Sequence, residues 1–454
     1  MQVTKKVAEF ISQTDFTKIP AEVLPAAKRA MLDAIGCALA GSQEPHGKMI
    51  TEFTKQVGGK PVATVIQGDF KTSAPGAALA NGTMAHALDY DDVDMAGPGH
   101  KSVCIVPGVL ALGEQEKTSG KDALAAYIIG FEIASRVGVT MGREHWNEGW
   151  HSTATVGTMG SAAAASKILK LDSSKTAMAL AIAASQASGL KQQFGTMMKP
   201  FHAGMASRAG VVSAMLARLG FTGDENILEG KAGYFKVLGK KDEKEIEGLP
   251  ASLANPCFSI LSPGVYFKPY ACGAANHPTL DAVIRLAKAH NISPDEVASV
   301  EARIPHYVVL ECVHHRPKTA LEGKFSLEFT ISMALLEGQV RLAQVTDEKV
   351  QDQRTKELIE RIKIIDHEPN DPEPERVIFT LRDGRQLIEP LIDFRDPKNI
   401  ALSNDELIAK YRDCARLSFS EKDIDRSIEM VQNLEHLTDI QQLTDLLGKC
   451  TYGK

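Results

Sequence analysis

The sequence predicts a mainly α protein: a large, discontinuous all-helical domain plus a smaller α+β domain. Three observations carry this prediction. Ala- and Gly-rich stretches with apolar residues spaced by three and four fill residues 1–262. Strand-like alternation and a hairpin pattern dominate residues 263–395. A capping box at Ser403-Asn404-Asp405-Glu406 then restores helical periodicity over residues 396–454, which most simply rejoins the first domain.

Taken in order, residues 21–41 form one helical stripe through Ala27, Ala30, Met31, Ala34, Ile35 and Ala38, stopped by Gly41. Residues 75–88, 121–138, 152–171, 174–190 and 202–219 continue the series. Their small residues let helix axes approach closely, and apolar residues on several faces mark them as buried. Ser152 reads as a helix N-cap with His151 just before it. In the second region, residues 298–309 alternate like a strand, with Pro305 hinting at an edge or bulge. Two β-rich runs flank Arg382-Asp383-Gly384-Arg385, where Asp-Gly suits a type I′ turn. Residues 279–290 and 324–336 read as helices, and the proline-rich residues 366–375 as a surface loop.

Composition narrows the function. Apolar residues make up 44% and charged residues 24% of 454, as expected of a chain with ample core. A net charge of -6 leaves no electrostatic footprint for nucleic acid or an anionic membrane. The seven cysteines are scattered, without a CxxC pair, which predicts reduced thiols and a cytoplasmic protein. The N-terminus does not read as a signal peptide. The most apolar run, residues 177–184, falls far short of the ~20 residues that span a bilayer. No dinucleotide fingerprint, phosphate loop, nucleophile elbow or HExxH occurs, so nucleotide-dependent chemistry and serine hydrolysis lack support.

The chemistry concentrates between Gly82 and Pro107, where His86, His100, Asp89, Asp91, Asp92 and Asp94 interrupt an apolar frame. Titratable groups in such a frame have tuned pKa values and suit proton transfer. The same cluster could hold Mg²⁺ or Zn²⁺, yet its spacing is wrong for an aspartate-rich metal motif and no second motif accompanies it. Metal-free chemistry is the reading taken. A second stretch holds His145 and His151 with both tryptophans of the chain. At a helix N-terminus, His151 would be a neutral base. A third, Lys199-Pro200-Phe201-His202, precedes a helix whose free N–H groups, with Lys199 and His202, would receive a carboxylate. Lys268 and His277 give a fourth stretch polar groups that could face a cleft, and Cys272 reads as a buried, inert thiol.

Together NGTMAHALDYDD with the following GH, SVCIVPGVLALGE, WHSTATVGTMGSAAAASKILKL, KPFHAGMASRAG, FKPYACGAANHPTLDA and LEGKFSLEF resemble the MmgE/PrpD family over essentially the whole chain. The resemblance implies a helical domain with an α+β lid, a homodimer, and action on a small di- or tricarboxylate without an organic cofactor. It assigns catalysis to Asp89, His100, His151 and Lys199. Lys268 matches the lid lysine and joins His202, Tyr90 and Lys101 as expected substrate-binding groups. Lys101 stands where the family commonly has proline, and Val313 stands where the decarboxylase branch places a tyrosine, with Tyr307 as a substitute. The expected activity is that of a 2-methylcitrate dehydratase-like hydro-lyase, with His151 or Asp89 as base and His100 as acid. A dicarboxylate epimerase is the runner-up, ahead of a cis-aconitate decarboxylase or a protein that only binds.

Overall fold

A computed structural model describes residues 2–254, 257–367, 371, 373–393, 396 and 402–450. The first part of the chain is built from α1 Val3–Gln13, α2 Val23–Gly41, α3 Pro45–Val57, α4 Ala74–Ala85, α5 Ser102–Gln115 and α6 Gly120–Asn147. It continues with α7 Ser152–Ile168, α8 Ser173–Ala184, α9 Met198–Arg218, α10 Tyr234–Gly239 and α11 Glu243–Leu253. Helix α7 lies at the centre, packed by α5, α6, α8 and α9, and buries every residue except Lys167. A helix so apolar on all faces has nowhere else to go. Among the described residues α6 is long and apolar enough to cross a membrane, but 83% of its apolar window is buried inside the fold.

Small residues set the crossings. Helices α4 and α9 touch at Gly82 and Gly204, where a Cβ on Gly82 would come within 2.8 Å of the Gly204 Cα. Only glycine permits that approach, and it brings the C-terminal end of α4 beside the first turns of α9. Helix α9 starts earlier than the sequence suggests, so Lys199 lies within it rather than ahead of it, with His202 one turn inside. Pro200 fits there because the first turn of a helix does not use its N–H groups. Helix α6 runs beyond residue 138, broken by Gly142 at a φ of 70°. His151 itself takes the N-cap position of α7, and Ser152 is its first residue.

The second part holds a four-stranded sheet in the order β6-β5-β7-β8. Two short pairs lie outside it: β1 Ala63–Thr64 with β2 Lys71–Thr72 in the first part, and β3 Val93–Asp94 with β4 Val265–Tyr266. The sheet proper comprises β5 Val297–Pro305, β6 Ile362–His367, β7 Arg376–Leu381 and β8 Gln386–Pro390. Strand β5 runs parallel to β6 and antiparallel to β7. Pro305 is the last residue of an inner strand, beyond the end of its pairing with β7, and the register shift lies instead between Val297 and Ser299. The hairpin between β7 and β8 forms, but Gly384 has a φ of 88° and Asp383 does not share the positive φ that a type I′ turn demands. Helices α12 His277–Ala289, α13 His306–Glu311, α14 Ala320–Gly323, α15 Leu327–Glu337, α16 Asp347–Gln351 and α17 Gln353–Ile359 accompany the sheet. Residues 306–309, read from sequence as strand, are therefore helical. Pro305 turns the chain, and Cys312 fastens the helix by donating from Sγ to Asn276 Oδ1 at 2.6 Å.

Buried apolar residues form two clusters. One takes in the first part of the chain as far as Phe267. It also includes the inner faces of α18 Asn404–Ala415, α19 Glu421–Gln432 and α20 Gln441–Leu447. The other runs from Ala271 to Leu381, with Ala87, Leu88, Tyr90 and Cys414 from the helical side. The capping box at Ser403 and Glu406 forms with both of its bonds. The expected border at residue 395 and residues 368–370 and 372 of the proline-rich loop fall outside the described residues.

Candidate active site

A cavity of about 340 Å³ opens between the two clusters. Asp89, His100, His151 and Lys199 line it from the helical side, and Lys268, Tyr307, Glu311 and Phe325 from the other. Five of the eight expected site residues thus share one wall system.

The loop after α4 is held by lysines from three distant segments. Lys324 donates to Ala87 O at 3.1 Å, Lys268 to Asp89 O at 2.7 Å and Lys410 to Tyr90 O at 2.6 Å. Asp89 takes a left-handed φ of 49°, which costs a non-glycine residue energy and needs such restraint. Its Oδ1 accepts from Lys199 Nζ at 2.8 Å and Lys268 Nζ at 3.1 Å. Burial alone would raise the Asp89 carboxyl, but Lys199 and then Lys268 overcome it and hold the group well below the usual carboxylate range. Lys199 itself is lowered, chiefly by burial.

Beneath this pair lies Asp91, fully buried between two imidazoles. Its Oδ1 is 2.9 Å from His86 Nδ1 and its Oδ2 is 3.0 Å from His100 Nδ1. His100 Nδ1 also lies 2.8 Å from Asp92 O. A carbonyl can only accept, so Nδ1 carries the hydrogen and a neutral His100 leaves Nε2 bare. That nitrogen lies 3.8 Å from Asp89 Oδ1. His86 works differently: its Nε2 meets Lys199 Nζ at 3.0 Å, and burial lowers its pKa to about 4. Gly99 seats the loop on α7, since a Cβ there would meet Thr153 N at 2.8 Å. The His100 N–H donates to Thr153 Oγ1 at 3.2 Å.

His151 is buried, with its Nδ1 3.0 Å from His202 Nδ1. One ring of the pair must donate and the other accept. Burial first and Lys199 second push His151 well below its ordinary value, so both roles are played by neutral rings.

Three expected substrate-binding residues do not line the cavity. His202 stands behind His151 as its hydrogen-bond partner. Tyr90 points away beneath the ammonium of Lys410, 4.1 Å from its ring centre, because the turn at Asp89 sends successive side chains in different directions. Lys101 is fully buried, donating to Pro98 O and lying 3.9 Å from Asp94 Oδ2, so its charge is spent inside the loop. His145 is likewise structural, bridging Leu238 O and Thr155 Oγ1. Cys272 is buried, its thiol pushed up to about 12 by burial.

Sequence reasoning passed over Arg143 and Glu311, both on the cavity wall. The guanidinium of Arg143 lies 5.5 Å from the ring centre of Tyr307. The metal-like grouping of His86, Asp89, Asp91 and His100 keeps its ligand atoms within 4.8 Å of one another. Two ammonium groups already bind the Asp89 oxygen, and the imidazole Nδ1 positions are engaged. Lys199 and Lys268 supply positive charge beside Asp89.

Fold and site together define a mainly α protein whose cavity brings lysine ammonium groups beside imidazoles. The chain belongs to the MmgE/PrpD family: the MmgE/PrpD N-terminal domain matches residues 5–247 and the MmgE/PrpD C-terminal domain residues 270–436. Among its relatives is cis-aconitate decarboxylase of Mus musculus, 27% identical, with 98% of this chain and 93% of that protein covered. Cis-aconitate decarboxylase of Aspergillus terreus strain NIH 2624 is 28% identical, with 98% and 96% covered. The mitochondrial 2-methylcitrate dehydratase of Yarrowia lipolytica is 23% identical, with 87% and 79% covered.

Proposed function

We propose that the chain is a lyase acting on a small di- or tricarboxylate by removing a proton α to a carboxylate, and that it eliminates water. The observation that carries this is the convergence of Lys199 and Lys268 on Asp89 Oδ1 at the cavity, beside Nε2 of His100. Proton removal beside a carboxylate develops enolate-like charge, which fixed cations in a shielded site stabilise. Asp89, paired with two ammonium groups, is too weak a base for that step. His100 takes it instead, oriented through Nδ1 by Asp91 and Asp92, a reversal of the role read from the sequence. His151 hydrogen-bonds the substrate from the same wall, its ring held through Nδ1 by His202. The C–H and C–O bonds break, a C=C bond forms, and water leaves.

Decarboxylation is the second reading, favoured by relatives of that name covering 98% of the chain. It would break a C–C bond and require a proton to be delivered to carbon. Incubation of the protein with 2-methylcitrate, citrate, cis-aconitate and iminodisuccinate separates the two. Vinylic product from a hydroxy acid without CO₂ is the expected result. CO₂ release from cis-aconitate without any dehydration would replace this reading with the second, and racemisation of iminodisuccinate alone would replace both with an epimerase. Lys199→Ala should lower kcat/KM about 10²-fold, the order found when one preorganised donor is removed. A rate within threefold of the parent would remove Lys199 from the mechanism.

A further inference from the structure

Elimination of water needs an acid for the departing hydroxyl, and the Asp89–His100 wall does not offer one. Asp89 is ionised between two lysines, and His100 is occupied as base. The side of the cavity given by the second part of the chain includes α13, which leaves the end of β5 and docks on the turn Ala274–Asn276. Tyr307 and Glu311, one helical turn apart, share the face of α13 that borders the cavity. Asp89, His100 and Lys199 line the cavity from the helical side. No side chain among the described residues donates a hydrogen bond to the Glu311 carboxyl.

We infer that Glu311 is the catalytic acid that protonates the leaving hydroxyl, an inference that rests on the hydro-lyase reading above. His100 Nε2 takes the proton from carbon while the C–O electron pair goes to oxygen. That oxygen takes the Glu311 proton and departs as water. Glu311 is left as carboxylate and His100 as imidazolium, and solvent exchange restores both. A base on one wall and an acid on the other meet the requirement of two groups whose environments drive their protonation apart.

The charges around the group support the same assignment. Burial pushes the Glu311 carboxyl up to about 7, against the opposing pull of Lys191, while Asp89 raises it and Lys199 and Lys268 lower it. Arg143, His100 and His151 also border the cavity. At the far end of α13, Asp366 of β6 is engaged by His306 at 2.8 Å. A carboxyl with this pKa is protonated in a large fraction of molecules near neutral pH, which an ordinary glutamate is not.

The sign of the pH effect follows: the acid form is required, so dehydration falls as pH rises through about 7. Wild type, Glu311→Gln and Glu311→Asp are compared for kcat, KM and the pH profile of kcat with whichever hydroxy acid the wild type dehydrates. Glu311→Gln should lose about 10²-fold in kcat with KM within a few-fold, and lose the alkaline decline. Glu311→Asp should recover part of kcat and show the decline again. Glu311→Gln keeping kcat within threefold and the same alkaline decline would overturn the inference alone. A wild-type protein that dehydrates none of the panel would overturn the hydro-lyase reading and this inference with it.

Discussion

Replacing His100 with asparagine is expected to lower kcat by about 10³-fold, within the range that general-base catalysis contributes. Asparagine is close in size and can still donate toward Asp92 O, so the loop that begins at Asp89 should keep its shape. What disappears is the bare ring nitrogen 3.8 Å from Asp89 Oδ1. KM should change little, because Lys199 and Lys268 remain to hold carboxylates. Steady-state kinetics alongside circular dichroism checks this. Retained kcat with an intact fold would move the base elsewhere, and His151 is the group positioned to take it.

The second large effect lies far from the cavity in sequence. Lys410 of α18 forms an ion pair with Asp33 of α2 at 2.7 Å, with both side chains almost fully buried, and also donates to Tyr90 O. Burial alone would lower the Lys410 ammonium, but Asp33 outweighs it and keeps the lysine charged. Lys410→Met leaves the Asp33 carboxyl, already raised by burial, without its partner and frees the carbonyl next to Asp89. Breaking a buried pair in this way costs about 3–5 kcal/mol. Asp33→Leu combined with Lys410→Met removes both charges and should recover most of that loss, leaving the Tyr90 carbonyl as the residue. Thermal unfolding of the parent, single and double variants measures it. A single variant as stable as the double one would show that the pair does not hold the site loop.

These two residues illustrate what the sequence makes readable. His86, Asp89, Asp91 and His100 fall in one short stretch, so their meeting needs only a turn, and residue types alone point to them. The Ala- and Gly-rich helices were readable for a related reason: their small residues mark close packing, although which helices meet, as at the Gly82–Gly204 crossing, came from the structure. Lys410 and Glu311 gain their importance from tertiary proximity. A lysine in a capped, amphipathic helix carries no mark of the Tyr90 carbonyl it binds. Glu311 sits in an apolar run whose alternation continues that of β5, and the turn at Pro305 is what converts it to helix. Sequence neighbourhood also misled. Tyr90 and Lys101 adjoin Asp89 and His100, but the left-handed turn at Asp89 and the buried Lys101–Asp94 contact direct both away from the cavity. Lys199 was placed ahead of α9, whose start was read at His202, although proline is welcome in a first helical turn.

The central claim is that this cavity takes a proton from a carbon beside a carboxylate, using His100 as base and lysines in place of a metal. Proton NMR in D₂O, with EDTA-treated protein and the panel of di- and tricarboxylates, tests it most directly. The expected result is loss of an α-proton signal or appearance of a vinylic one with the wild type, unaffected by EDTA and absent with His100→Asn. Undiminished exchange in His100→Asn, or exchange that EDTA abolishes, would contradict the account.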